Sequence, residues 1–248
     1  MLSAELGVLS AELGVLSFEF LSCWKLNMLK KTIIWDFNGT LLNDMQVCID
    51  CMNILLKERH LPPIDLKQYR NIFNFPVRDY YLALGFEFDK EPFEIPAHQF
   101  IDLFRINLHL APLQPGTLEL LDFFRQHQFK QVILSAMEQE FLEETLKLKG
   151  IFGYFDKVAG IKNHLGDGKL EMAKELVEML GNNQGELVLI GDTVHDYEVA
   201  EVVGIRCILI AQGHQSYERL KNLNCLVLKE LKSLIKEFTH GKSQKLET

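Results

Sequence analysis

Thr32-Ile33-Ile34-Trp35 is a short run of β-favouring residues that stops abruptly at a carboxylate and a turn, Asp36-Phe37-Asn38-Gly39. Runs of the same kind recur at Gln131–Leu134 (QVIL), Leu187–Ile190 (LVLI) and Cys207–Ile210 (CILI), with a weaker one at Cys225–Leu228. They are apolar almost throughout, which a strand tolerates only when both of its faces are buried. Helical patterns separate them at Thr117–Gln126, Gln139–Lys149, Leu170–Leu180 and Tyr197–Val203. Strands alternating with helices of this length predict an α/β fold, a parallel Rossmann-like sheet with helices on both faces.

The alternation fails between residues 44 and 111. That interval reads as helices only, at Asp44–Arg59, Leu66–Asn74, Val77–Leu84 and Phe93–Leu110, punctuated by Pro62-Pro63, Pro76, Pro92 and Pro96. So much helix between one strand and its neighbour exceeds a simple crossover, so an inserted all-α cap is expected. The core is then 28–43 joined to 112–238, followed by a polar tail at 239–248. Residues 1–27 stand apart: Leu2–Val8 (LSAELGV) is repeated at Leu9–Val15, and a third copy begins at Leu16. The segment lacks a basic start, and Glu5, Glu12 and Glu19 interrupt it, so neither a signal peptide nor a membrane span fits. It reads as an extension outside the fold, with Met28 as a natural beginning.

A formal charge of −8 argues against nucleic acid or an anionic membrane as partner, since both call for a basic surface. The five cysteines form no disulfide framework, and Cys48-x-x-Cys51 falls in a helical stretch without a second pair at zinc-binding spacing. Buried free thiols and a reducing, cytoplasmic setting are expected.

In open parallel sheets ligands bind beyond the carboxyl ends of the strands. Four polar features stand there: Asp36-Phe37-Asn38-Gly39-Thr40-Leu41; Ser135 after VIL; Lys169 in Gly166-Asp167-Gly168-Lys169, ahead of a helix; and Gly191-Asp192-Thr193-Val194-His195-Asp196 after LVLI. Singly, each is explicable as a turn or helix cap. Together, in this order and each at a strand end, they point to a functional site, in which the two carboxylates of Gly191–Asp196 resemble a cation site.

From about Lys31 to Leu228, with these motifs in order, the chain resembles the haloacid dehalogenase-like (HAD) hydrolase superfamily. The helical insert resembles the cap of its phosphoglycolate-phosphatase-like and β-phosphoglucomutase-like branch. The resemblance implies that Asp36 attacks phosphorus to form an aspartyl-phosphate. Ser135 with Ala136, and the backbone around Phe37, Asn38 and Gly39, would bind phosphoryl oxygens, with Thr40 ordering that loop or serving only as a turn residue. Lys169 would neutralise charge. Asp36, the Asn38 carbonyl and Asp192 would hold Mg²⁺, with Asp196 in support, and the substrate would be a small phosphorylated metabolite.

One position departs from that pattern. Where phosphatases of the family carry a second Asp, this chain has Asn38, which cannot donate a proton near neutral pH. General acid–base help is worth about 10²- to 10⁴-fold, so substrates with good leaving groups are favoured. The alternatives are a phosphate-ligand binder with vestigial activity, or a phosphotransferase or mutase; a mutase depends most on the missing proton shuttle. His195 stands as either a helix cap or a replacement acid. Arg78 stands as either a solvated residue or a cap-borne contact to an anionic substrate group. Gln212-Gly213-His214-Gln215-Ser216 follows the fifth strand and reads as the rim of the site or as a plain connection.

Overall fold

The structure, a computed structural model, describes residues 32–161, 168–181 and 186–240. The expected extension at 1–27, the onset at Met28, Gly166 and Asp167 of the third motif, and residues 241–248 of the tail lie outside the described residues.

Six strands form one sheet: β1 (Thr32–Trp35), β2 (Lys130–Glu138), β3 (Lys157–Ile161), β4 (Leu187–Gly191), β5 (Arg206–Ile210) and β6 (Leu226–Leu228), in the order β3-β2-β1-β4-β5-β6. Every pairing is parallel, and Trp35 at the end of β1 sits in register with Ile133 of β2 and Ile190 of β4. Successive β1 side chains enter opposite layers. Ile33 and Trp35 join a cluster with Leu121, Phe124 and Leu146, whereas Ile34 packs with Val132, Leu176 and Val199. Both faces are therefore buried, as the unbroken apolar runs require.

Of the helices between β1 and β2, the first four make up the insert: α1 (Met45–Glu58), α2 (Leu66–Ile72), α3 (Val77–Ala83) and α4 (Glu94–Asn107). They share an apolar cluster of their own, with Met52, Leu55, Leu56, Tyr69, Tyr80 and Phe93 among its members. Asp65 caps α2 through a reciprocal bond with Gln68. The rest of the fold carries α5 (Thr117–Gln126), α6 (Gln139–Leu148), α7 (Lys169–Leu180), α8 (Val194–Val203), α9 (Tyr217–Leu220) and α10 (Ser233–His240). No helix among the described residues is long and apolar enough to cross a membrane.

Several details depart from expectation. β3, α9 and α10 have no counterpart in the periodic pattern. β2 runs four residues beyond QVIL, so Ser135 lies within the strand, paired with Gly160 just before a register shift. A side chain at 160 would crowd the Met137 carbonyl, which is why this edge strand contains glycine. The last helix of the insert stops at Asn107, with a 3₁₀ turn over Leu108–Leu110. α8 begins at Val194, ahead of Tyr197, because Thr193 and Asp196 cap it reciprocally.

Candidate active site

The chain leaves β1 in one direction across the sheet and β4 in the other, and the crevice beyond their ends is where ligands bind in such sheets. Asp36 follows β1 and Asp192 follows β4, both buried. Lys169, first residue of α7, sends its ammonium to Asp36 Oδ1 and, at 2.6 Å, to Asp196 Oδ1. Thr40 Oγ1 donates to Asp192 Oδ1 at 3.0 Å and lies 3.4 Å from Asp36 Oδ2, so it positions two carboxylates at once. The second oxygen of Asp196 accepts from the Thr193 hydroxyl at 2.7 Å and from the amides of Thr193 and Asp192.

Beside this group lies a second one. Asp44 occupies the N-terminal cap position of α1 but makes no side-chain cap bond there. Its carboxylate turns back to accept from Asn38 Nδ2 at 2.7 Å and from the Gly39 amide at 2.9 Å, and faces His214 Nε2 at 3.3 Å. The other ring nitrogen of His214 meets the Tyr69 hydroxyl, from α2, at 2.8 Å, while its amide donates to Asp192 Oδ2 at 2.5 Å. Gly39 permits this crowding: its φ is +74°, and any Cβ would overlap the Asp192 carboxylate and the His214 ring.

Burial and three facing carboxylates dominate the electrostatics. Burial, reinforced by Asp196 and Asp192 and opposed by Lys169, pushes Asp36 up to about 8. Burial raises Asp192 to about 6, against the pull of His214. Against burial, Lys169 and Thr193 hold Asp196 below the usual carboxylate range, and Asp196 with Asp36 keeps the Lys169 ammonium firmly charged. His214, despite burial, is pushed up to about 9 by Asp44, with Asp192 and Asp36 adding to it; Asp44 is lowered in return, chiefly by His214.

The residues singled out from sequence are thus distributed unevenly. Asp36, Asn38, Ser135, Ala136, Lys169, Asp192 and Asp196 all line one cavity. Ser135 Oγ accepts from the Met137 amide at 3.1 Å. Phe37 has its ring wholly in the core, leaving only its backbone for a ligand. The Gly39 amide is already engaged by Asp44. Arg78 is exposed, lies outside the cavity lining and sits over the Phe88 and Phe93 rings at 4.7 and 5.8 Å. His195 also falls outside the lining: its ring stacks on Phe75 at 4.8 Å, burial and Lys169 lower its pKa, and Thr193 and Asp196 do the capping. Sequence reading missed Asp44, disguised as a helix cap, and Tyr69, and left His214 as a rim residue.

Asp36, Asp192 and Asp196 each offer an oxygen within 4.8 Å of the others. Lys169 pairs with Asp36 and Asp196 but not with Asp192, and burial together with the neighbouring carboxylates raises Asp36 and Asp192. An all-oxygen acidic set fits a hard divalent cation such as Mg²⁺.

The sequence model described as haloacid dehalogenase-like hydrolase matches residues 33–210. A phosphoglycolate phosphatase of Caulobacter vibrioides is 26% identical over 192 residues, covering 74% of this chain and 80% of that protein. Among solved structures, a haloacid dehalogenase-like hydrolase from Streptococcus pneumoniae superposes with a TM-score of 0.73 at 19% identity, over 84% of this chain and 98% of that one. CbbY from Rhodobacter sphaeroides, in complex with phosphate, gives 0.63 at 15% identity, over 82% and 96%. These structural likenesses bear on the fold.

Proposed function

Because the chain belongs to the haloacid dehalogenase-like hydrolase family, we propose that it is a Mg²⁺-dependent phosphatase of the phosphoglycolate-phosphatase-like branch, acting on a small phosphorylated metabolite through an aspartyl-phosphate on Asp36. The observation that carries this reading is the Lys169 ammonium held between Asp36 and Asp196, with Asp192 facing the same point on the cavity floor. The insert is then the cap over that floor. The thiols of Cys48, Cys51, Cys207 and Cys225 are free, which supports a cytoplasmic setting.

Asp36 attacks phosphorus; the new O–P bond forms as the ester P–O bond breaks, and the leaving oxygen departs with the electron pair and takes its proton from water. Water then attacks the acyl phosphate, releasing inorganic phosphate and restoring the Asp36 carboxylate. Lys169 offsets charge on the nucleophile and the transferring group, and Ser135 with the adjoining Ala136 backbone receives phosphoryl oxygens. A Mg²⁺ ion held by Asp36, Asp192 and the Asn38 carbonyl, with Asp196 in support, would shield the phosphate dianion from Asp36. Asn38 donates one amide N–H to Asp44, and a carboxamide has no acidic proton to give the leaving group.

Phosphate release by the chain and by Asp36→Asn, with Mg²⁺ and with chelator, tests the reading on acetyl phosphate, p-nitrophenyl phosphate and phosphoglycolate. Mg²⁺-dependent release that vanishes in Asp36→Asn is expected. A second reading, a phosphate-ligand binder with vestigial turnover, is favoured by Asn38 alone; binding of phosphate without release from any substrate would select it.

A further inference from the structure

The cavity above Asp36 has a volume of about 230 Å³ and changes character with height. Its floor holds the carboxylates, Lys169 and Ser135, while its walls are apolar and aromatic. Phe100, Ile101 and Phe104 of α4 face Met137 and Phe141 of the core. Phe100 and Phe104 stack with ring centroids 5.7 Å apart, and both remain half-buried.

Every cation in the described lining already faces a carboxylate. Lys169 is engaged by two carboxylates on the floor. His214 faces Asp44. Arg105, on the α4 side, pairs with Glu138 at 2.9 Å and lies over the Phe141 ring at 4.6 Å. One polar group in the wall is unspent: the Tyr80 hydroxyl is buried and has no hydrogen-bond partner among the described residues.

We propose that the organic half of the substrate is a single uncharged aromatic ring, making the substrate an aryl phosphomonoester, with at most one neutral polar substituent for Tyr80 to bond. This deepens the phosphatase reading and rests on it. A cavity of ~150 Å³ suffices for benzene, so the observed volume admits one ring beside the phosphoryl group. The chemistry of Asn38 points the same way. A phenol with a pKa near that of tyrosine, about 10, leaves as its anion far more readily than an alkanol, and so needs no acid. In the step, the Asp36–phosphorus bond forms, the aryl oxygen takes the electron pair of the breaking P–O bond, and the phenolate later takes its proton from water.

The test is calorimetric binding of non-hydrolysable phosphonates to the full chain with Mg²⁺. Benzylphosphonate should bind about tenfold or more tighter than methylphosphonate, from burial of the ring, and phosphonoacetate no tighter than methylphosphonate. Phosphonoacetate binding as tightly as benzylphosphonate would overturn the proposal. So would methylphosphonate matching benzylphosphonate, with the phosphatase reading left standing. No binding by any of the three, together with no Asp36-dependent release from acetyl phosphate, would bring down both. Ile101→Arg, which adds a cation to a half-buried wall position, should reverse the preference toward phosphonoacetate. Should that variant misfold, the comparison on the unaltered chain still decides.

Discussion

His214 and Asp44 face each other at 3.3 Å in the buried heart of the site, with the Tyr69 hydroxyl 2.8 Å from the far side of the imidazole. Both residues lie on loops or helix ends separated by most of the chain. Their mutual charge stabilisation therefore ties the start of the helical insert to the loop after β5.

That pair makes the metal-free chain sensitive to alkali. His214 is raised from 6.5 to about 9. Its contribution is complete below the unfolded value and is lost as pH climbs through the folded one. The shift corresponds to roughly 3 kcal/mol at most. Urea unfolding in chelator should show the stability difference between the natural chain and His214→Gln shrinking by about that order between about pH 6 and pH 10. A difference that does not vary with pH would mean that His214 is neutral when folded.

Cation binding should release protons. Asp36 near 8 and Asp192 near 6 are partly protonated at neutral pH without metal, and a divalent ion stabilises their ionised forms. Mg²⁺ added to the weakly buffered chain at about pH 7 should liberate on the order of one proton, and apparent affinity should rise toward about pH 9. Mg²⁺ binding with no proton uptake or release across that range would contradict the assignment of Asp36 as a ligand.

The turn at Gly39 admits no side chain. Gly39→Ala places a methyl against Asp192 and His214 at a φ of +74°, so both strain and overlap oppose it. A loss of at least about 2 kcal/mol in urea stability is expected, with Mg²⁺-dependent phosphate release abolished. Near-natural activity in this variant would show that the loop moves freely away from β4.

Legibility from sequence followed the physics of each element. Strands buried on both faces announce themselves as apolar runs, so β1, β2, β4 and β5 were visible, while the more exposed edge strand β6 showed only as a weaker one. β3 was not: Lys157-Val158-Ala159-Gly160-Ile161 is an edge strand diluted by a lysine and a glycine that the bulge in β2 requires. Asp36, Lys169 and Asp192 were readable because they sit at strand or helix ends, where chemistry and chain direction coincide. Asp44 was hidden, since an Asp before a helix has a commoner explanation, and only its backward turn toward Asn38 reveals otherwise. Arg78 was left open for the opposite reason: its charge is visible in the sequence, but the rings of Phe88 and Phe93 beneath it are not visible as its partners.

Docking of the insert on the core has a polar clasp that can be cut without touching the floor of the cavity. Arg219 Nη1 donates to the Phe73 carbonyl at 2.6 Å and lies 3.3 Å from that of Arg70, while Arg70 Nη2 donates to the carbonyls of Ala211 and Gln215 at 2.6 and 3.0 Å. Arg219→Ala should loosen the insert, raising KM roughly tenfold, the order expected from one or two charge-assisted bonds. Limited proteolysis around Phe73–Val77 should accelerate in parallel. Unchanged cleavage with a raised KM would place Arg219 in substrate binding instead.

Asn38→Asp tests whether the missing acid sets the rate. Asn38 Nδ2 donates to Asp44 Oδ2 at 2.7 Å, so a carboxyl at position 38 would lie within hydrogen-bond distance of a second carboxylate. Two such groups cannot both ionise cheaply, and one proton is retained between them. That proton is the acid an alkyl leaving group lacks. Turnover of alkyl phosphates should therefore rise about 10²- to 10⁴-fold, while aryl and acyl phosphates change little. The sample needs checking by mass, because an Asn-Gly step is prone to deamidate into this same Asp. If alkyl esters gain nothing while the variant stays folded and binds Mg²⁺, then proton delivery does not limit this site. The apolar wall above Asp36 would remain as the ground for discriminating among its substrates.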